Sequence, residues 1–376
     1  KRLIMSYKIK TEKLLVALQQ TIRVIPSRST KPILNCALFS FNNNLKISAS
    51  NQETFINTKI KMETSGEGGE VAIPIGRLLE ITTNIKDEEI EMSLLGDNRV
   101  EIKTQSGKFS ITGQNHQEFP PDPVMNESVG LSLNMESFLE IINFTKNSVS
   151  RDDLKPALQG VLLKIDTNKI LGVSTDGHRL SRIIIKNETD QTKEHEIIIP
   201  IKFLTLLNSF IDKKDQIELE ISDKYISVSH KDQTIFSRII KDTYPDYEKV
   251  VPLDNNKKLT IDRQNLIDAI KRVSIFSNRA TKQITLKIKK EETFIQTEDA
   301  ENAASGKENI KSVFTEEEEL KIGFNATFII EALNNIKKKE ITIFLNGPLS
   351  AAIIAEKDEK TEKDKLLLLM PIRLND

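Results

Sequence analysis

Apolar and polar residues alternate with a period of two along many short stretches of this chain. Ile90-Glu-Met-Ser-Leu94 is followed by a Gly96-Asp97-Asn98 turn and Val100-Glu-Ile-Lys103, and Ile217-Glu-Leu-Glu-Ile221 runs towards Tyr225-Ile-Ser-Val228. Alternation of this kind, punctuated by turn residues, predicts antiparallel hairpins with one buried and one wet face. The pattern changes in six other stretches, residues 11–28, 75–86, 135–151, 201–214, 262–279 and 325–339. There, helical amphipathic spacing leads into basic turns.

These elements recur along the chain. Val71-Ala-Ile-Pro-Ile-Gly-Arg-Leu-Leu-Glu-Ile-Thr82 matches Ile197-Ile-Ile-Pro-Ile-Lys-Phe-Leu-Thr-Leu-Leu-Asn208, with Pro74 and Pro200 126 residues apart. A weaker third copy spans residues 322–334, where Asn325 falls 125 residues after Pro200. In each copy a short strand passes through a helix start into an apolar helix. A second element, an amphipathic stretch with a basic turn, leads to Lys31-Pro-Ile-Leu34, to Lys155-Pro-Ala-Leu158 and to the relic Lys282-Gln-Ile-Thr285. The repeat predicts three domains, residues 5–128, 129–252 and 253–376, each an α+β unit of two helices packed on antiparallel sheets. Residues 1–4 read as a leader or remnant ahead of the first repeat.

Composition fits this division. A chain of 376 residues with 38% hydrophobic and 29% charged residues has the make-up of several globular cores, not of a disordered chain. One cysteine, Cys36, cannot form an internal disulfide or a cysteine-rich zinc site, and His116, His178, His195 and His230 lie in different segments, so no metal or cofactor is expected. The apolar run at residues 366–372 is short and broken by Pro371, which leads to the expectation of a cytoplasmic protein. With 54 Lys+Arg against 55 Asp+Glu the net charge is −1, unlike a protein that coats nucleic acid by being basic throughout. The six helical segments nevertheless hold 17 basic and 8 acidic residues, a net of +9 that leaves −10 on the remainder. Basic residues such as Lys337, Lys338 and Lys339 could serve the helix macrodipole alone, or six equivalent helices could face one polyanion.

Enzymatic motifs are missing. The chain has no Gly-x-Ser-x-Gly elbow and no His-Glu-x-x-His, and Gly66-Glu-Gly-Gly69 lacks the lysine and hydroxyl residues of a phosphate-cradling loop. Asp176-Gly177-His178 reads as a turn between two strands.

Val173-Ser-Thr-Asp-Gly-His-Arg-Leu180, Tyr244-Pro-Asp-Tyr247 and Leu369-Met-Pro-Ile-Arg-Leu374, together with Lys31-Pro-Ile-Leu34 and the Ser27-Arg28 turn, resemble the bacterial DNA polymerase III beta subunit family, the replicative sliding clamps. The resemblance spans residues 5–374. It implies a non-catalytic processivity factor that closes head to tail as a homodimer into a pseudo-six-fold ring around duplex DNA, without sequence preference. Twelve helices spaced at ~10 Å enclose a hole of ~28 Å, wide enough for a duplex of roughly 20 Å. The implied partners are the DNA polymerase III alpha subunit, a clamp loader complex, and other replication and repair proteins that carry a clamp-binding peptide.

By matching positions, the resemblance places the partner-peptide cleft at Leu158, Thr175, Gly177, His178, Arg179, Leu180, Pro245, Val250, Val251, Met370, Pro371 and Ile372. Apolar residues would form the groove, with His178 and Arg179 as its polar edge. Lys249 stands where the family often has a basic residue, and Glu248 beside it alters the rim charge. The DNA-facing residues would be Arg28, Arg151, Lys202, Lys271, Arg272, Arg279, Lys337 and Lys338. One side of the dimer interface would hold Arg77, Ile81, Ile85, Lys108 and Phe109, and the other Ile275, Phe276, Glu298 and Glu301. The loop at residues 298–308 departs from the family pattern through Ala303-Ala-Ser-Gly306. Two further readings stand beside this one: a DNA-acting hydrolase using Asp176 and His178, and a three-domain peptide-binding scaffold without DNA, which the charge of the helical segments opposes.

Overall fold

The structure, a computed structural model, describes residues 3–42, 44–62, 68–186, 194–210, 216–358 and 363–374. The first repeat contains β1 (Leu3–Lys10), α1 (Thr11–Thr21), β2 (Cys36–Phe41), β3 (Asn44–Ser50), β4 (Thr54–Lys61), β5 (Gly69–Pro74), α2 (Ile75–Asn84), β6 (Glu89–Leu95), β7 (Arg99–Lys103) and β8 (Lys108–Thr112). The second contains β9 (Val129–Asn134), α3 (Met135–Thr145), β10 (Gly160–Ile165), β11 (Lys169–Thr175), β12 (Arg179–Lys186), β13 (His195–Pro200), α4 (Ile201–Leu207), β14 (Gln216–Ile221), β15 (Tyr225–His230) and β16 (Gln233–Arg238). The third contains β17 (Lys257–Asp262), α5 (Arg263–Ser274), β18 (Gln283–Ile288), β19 (Glu292–Asp299), β20 (Ala304–Phe314), β21 (Leu320–Asn325), α6 (Ala326–Asn334), β22 (Glu340–Leu345), β23 (Ala352–Asp358) and β24 (Lys363–Leu369).

The helices begin where the repeat predicts. The Asp262 carboxylate accepts the Asn265 amide at 2.9 Å to open α5, and the Asn325 side chain accepts the Thr327 and Phe328 amides to open α6. At the start of α2 the repeat position is Pro74, which supplies no side-chain cap. The helices end before their basic turns: 3-10 turns at Ile22–Val24 and Lys146–Ser148 follow α1 and α3. Helix α4 stops at Leu207. Residues 1 and 2, Gly66 and Glu67 of the acidic glycine-rich turn, and residues 211–214 of the fourth predicted helix lie outside the described residues.

Chain contacts divide the protein into two compact units, residues 1–136 with 202–239 and residues 137–201 with 240–376. In the first, an eight-stranded sheet runs β5-β2-β3-β4-β16-β15-β14-β9 and a four-stranded sheet runs β1-β6-β7-β8. Its core packs Leu14 and Leu18 of α1 and Leu78 of α2 against Phe39, Ile47, Met92 and Val100, with Tyr7 stacked on Phe41 at 4.5 Å. Burial of each such side chain contributes roughly 1.5–3 kcal/mol.

The second unit holds one antiparallel sheet in the order β13-β10-β11-β12-β24-β23-β22-β17-β20-β19-β18-β21. Helix α3 lies so close to this sheet that a Cβ on Gly172 would sit 2.4 Å from Ile141. The Ser148 and Ser181 hydroxyls meet at 2.7 Å in the buried layer between them, and Ser174 donates to the Thr145 carbonyl. Among the described residues no helix is long and apolar enough to cross a membrane, and no cluster of metal-ligating side chains occurs.

A charge cluster, with Lys365 buried and Glu140 and Lys363 half-buried, ties α3 to the C-terminal strand. Glu140 accepts from Lys363 at 2.6 Å and pairs with Lys365 at 2.7 Å, while the Lys365 ammonium lies 5.5 Å from the Phe144 ring. Burial raises the Glu140 carboxyl, but the hydrogen bonds and charges of the two lysines outweigh it and leave the group below its ordinary value of 4.5. A carboxyl with a depressed folded-state value stabilises the fold above that ordinary value and loses the contribution as pH falls through the lowered one. Glu140→Gln should therefore lower stability at pH 7 by ~1 to 3 kcal/mol, because Lys365 is left buried without a counter-charge. Urea denaturation of both proteins from pH 7 downwards should show the gap closing only below about 4.5.

Candidate functional site

The segment from Thr175 to Arg179 is a tight turn whose backbone is held by its own side chains. Thr175 Oγ1 accepts from the Gly177 amide at 3.1 Å and donates to the Arg179 carbonyl at 2.7 Å. One oxygen of Asp176 accepts the His178 and Arg179 amides at 2.9 and 3.0 Å, and the other accepts Arg179 Nε at 3.0 Å. Gly177 sits at φ +91°, a conformation that side chains with a Cβ resist. With its carboxylate committed to these amides and to Arg179, Asp176 is a structural anchor, and nothing here makes it a general base for His178.

This turn meets the C-terminal strand. Arg179 lies opposite Leu369 and Leu180 opposite Leu368 in the β12–β24 ladder, and beyond the ladder the Met370 amide donates to the His178 carbonyl at 2.8 Å. Pro371 then ends regular pairing, and the Ile372 amide donates to the Gly323 carbonyl of β21 at 2.8 Å. The two motifs recognised in the sequence, almost two hundred residues apart, thus become adjacent walls.

Successive strand residues face opposite sides of the sheet, and this sorts the site. On one side Leu180 joins Leu158, Tyr244, Tyr247 and Leu368 in an apolar cluster, with Val251 packed against it. Above that floor Met370 is 41% and Val250 53% exposed, and Pro245, Gly177 and His178 are also exposed. Thr175, Pro371 and Ile372 are half-buried at its margin. The expected role of Arg179 as a polar edge is corrected here. Its side chain, only 12% exposed, lies on the opposite face, paired with Asp176 and Glu331, with its guanidinium 4.2 Å from the Phe328 ring. The exposed His178 ring also stacks on Phe328, with centroids 6.4 Å apart, so neither polar side chain of this turn is committed to the apolar face. Lys249 is drawn to Asp246 at 3.0 Å rather than to Glu248.

Several contributors escaped the sequence reading. Tyr244 and Tyr247 are buried in the apolar cluster, and burial pushes both hydroxyls up from their ordinary value. Leu366 and Leu368 complete the floor, and the unbroken leucine run at residues 366–369 carries no alternation that would single them out. Ser50-Asn51-Gln52 forms the same turn in the first repeat, with Gln52 at φ 77° and Asn51 accepting the Glu53 and Thr54 amides.

The basic residues are arranged differently from expectation. The six helices proper, without their following turns, carry six basic and six acidic residues, so their bodies are neutral. The excess sits in the turns behind them. Arg28, Arg151, Arg279 and Lys337 of these turns, and Lys202 and Lys271 within α4 and α5, are exposed and make no ion pair among the described residues. Arg272 is held in a two-pronged pair by Glu308, and Lys338 lies 3.9 Å from Glu356, so these two offer less free charge. The excess in the fourth segment comes from Lys213 and Lys214, outside the described residues.

Of the expected interface residues, Ile275, Phe276 and Phe109 are 77%, 45% and 41% exposed, an unusual state for large apolar side chains. Arg77, Lys108, Glu298 and Glu301 are exposed, with Lys108 3.5 Å from Glu101. Ile81 and Ile85 pack partly against the core of the first unit. In the divergent loop Ala303 takes φ 50° to close the β19–β20 hairpin.

Models of the N-terminal, central and C-terminal domains of the DNA polymerase III beta subunit match residues 5–124, 132–246 and 248–373. The chain belongs to this family. Beta sliding clamps of Pseudomonas putida and Rickettsia felis are 26% and 27% identical to it, over 98% and 97% of this chain and 100% and 99% of theirs. The DNA polymerase III beta subunit of Pseudomonas aeruginosa has the same fold, with a TM-score of 0.92 at 24% identity over 98% of this chain and all of that one. The Bacillus subtilis sliding clamp gives 0.91 at 22% identity, covering 99% and 100%. A further Pseudomonas aeruginosa clamp, solved bound to griselimycin, gives 0.89 at 23% identity, covering 98% and 100%. The clamp family is non-catalytic, and the chain is a sliding clamp of DNA replication.

Because a Cβ at Gly177 would meet no atom within 4 Å, only its backbone angle resists substitution. Gly177→Val should cost ~1 to 2 kcal/mol and Gly177→Asn distinctly less, measured by urea denaturation.

Proposed function

We propose that this chain encircles duplex DNA as a head-to-tail homodimer and tethers the polymerase alpha subunit, and other proteins with a clamp-binding peptide, through the groove between the Thr175–Arg179 turn and Met370. The three repeats are taken as residues 5–128, 129–252 and 253–376, and a separate loader complex would open the ring. Locally segregated basic turns on a nearly neutral chain support a loose grip on DNA. The apolar floor under an exposed methionine supports recognition of short peptides with apolar anchors.

One observation carries the dimer. Strand β4 of the first repeat pairs with β16 of the second, and the equivalent β12 of the second pairs with β24 of the third. The next instance of the rule is β20, whose residues 304–311 pair only with β19 among the described residues. The matching last strand is β8, which among the described residues pairs only with β7. A second copy would join the two and cover both open edges. Repeat-equivalent positions set the register: Ile56 faces Ile235 and Ser181 faces Leu367, so Gly306 of one copy would face Phe109 of the other. A Cβ on Gly306 would lie 3.0 Å from Phe276, so the glycine leaves room where Phe276 and the other copy's Phe109 would meet.

The register is tested by cysteine pairing. Ser110 and Ser305 would be directly opposite, within disulfide reach at ~4.5 to 5.5 Å between Cβ atoms. Ser110→Cys with Ser305→Cys should give covalent dimers on mild oxidation, while Ser110→Cys with Lys307→Cys should give few. Equal yields, or a monomer by light scattering, would reject the pairing.

Binding to DNA should depend on topology. Affinity for short linear duplex should be weak and fall steeply with salt, each neutralised phosphate adding ~0.9 to the log-log slope. Protein loaded on circular DNA should persist at salt that abolishes the linear complex and leave when the circle is cut. Equal loss from both forms by an intact dimer would sink encirclement. In the groove, Met370→Ala with Leu158→Ala should weaken a labelled alpha-subunit peptide by ~1 to 3 kcal/mol and leave the dimer unchanged.

A further inference from the structure

The geometry points to Arg179 as the positioning residue of the peptide groove, acting from the far side of the sheet through Glu331 and Phe328 on α6. This rests on the groove reading above and deepens it. The guanidinium is shared: Nε bonds Asp176, the carboxylate that fixes the turn's amides, while Nη1 pairs with Glu331. Its flat face packs on the Phe328 ring, and the His178 ring stacks on the same ring with centroids 6.4 Å apart and planes 25° apart. A planar, forked cation suits this position because it bridges two carboxylates while lying on an aromatic face.

The arrangement fixes both walls of the groove to one helix. The turn is held by Arg179 and His178, and Met370 follows because its amide bonds the His178 carbonyl. The opposite end of that wall, Ile372, is bonded to Gly323, on the strand that runs directly into α6. A Cβ on Gly323 would approach the Ile372 carbonyl to 2.7 Å, so the wall can seat only on a bare backbone there. Arg179 therefore presents no charge to a bound peptide. It sets where the Thr175–His178 backbone stands relative to Met370, and a displacement of this pre-formed wall lowers affinity for every peptide alike.

A double-mutant cycle tests this. Full-length wild type, Arg179→Gln, Glu331→Gln, the double variant and Met370→Ala are titrated with a fluorescein-labelled alpha-subunit peptide and with a copy whose acidic residues are replaced by amides. Arg179→Gln and Glu331→Gln should each weaken both peptides about tenfold, equivalent to ~1.4 kcal/mol. The double variant should be no weaker than Arg179→Gln alone, since the two residues act through one contact. Amide exchange at His178 and Arg179 should quicken in both single variants while β10 stays protected, which a general loss of stability would not produce. Arg179→Lys should recover only part of the affinity. Wild-type affinity in Glu331→Gln, fully additive losses, or an Arg179→Gln effect confined to the acidic peptide would overturn the proposal. If Met370→Ala also bound normally, the groove reading itself would fall; a weakened Met370→Ala beside a normal Glu331→Gln would remove this proposal alone.

Discussion

Six consecutive residue pairs, from Arg179 opposite Leu369 to Ile184 opposite Asp364, join β12 to β24 and bring the second repeat's turn to the third repeat's last strand. Everything at the groove depends on this ladder. It sets the register in which Leu180 and Leu368 share one face, and it aims the Met370 amide at the His178 carbonyl. A slip of one residue would turn Leu180 towards α6 and put Arg179 into the apolar cluster, inverting both faces at once. The equivalent ladder between β4 and β16 shows the same solution in the first unit. Joining repeats by strand edges uses the backbone, which every sequence has, and leaves the side chains free to differ.

The polar side of this ladder is as organised as the apolar one. On the face turned away from the apolar cluster, Glu140 of α3 pairs with Lys363 and Lys365 of β24, and Arg179 of β12 pairs with Asp176 and with Glu331 of α6. Arg182 and Asp364 pair at the edge of the apolar face itself. Charges removed from water in this way contribute little net stability, but each becomes costly if its partner is lost. Their geometry accordingly favours one register and penalises others. An all-apolar face of leucine and isoleucine would be more tolerant of slippage.

On the encirclement proposed above, the placement of charge would account for how a nearly neutral protein works on DNA. The helix bodies balance their own acids and bases, so the basic excess falls on turns that are exposed and largely unpaired. Isolated cations on separate turns interact with a polyanion over roughly a Debye length of 8 to 10 Å without forming a fixed set of contacts. Weak, replaceable contacts suit a protein that must move along its substrate.

The sequence alone determined the repeat, the six helices, the hairpins and the motifs at Asp176 and Met370, because these depend on local periodicity and on turn chemistry within a few residues. Asn325 and Asp262 could be read as helix starts for the same reason. What only the tertiary structure decided was direction and partnership. Arg179 and Leu180 are neighbours in sequence, and nothing local says which faces the apolar cluster; the pairing with β24 assigns them opposite sides. Glu331, Phe328 and Gly323 gained their roles only when α6 and β21 came against residues far away along the chain. The neutral helix bodies emerged once the helix ends were known, since a shift of a few residues moves a basic turn in or out of the helix. Local patterns fix elements, whereas pairing between distant strands fixes which side of each element meets which neighbour.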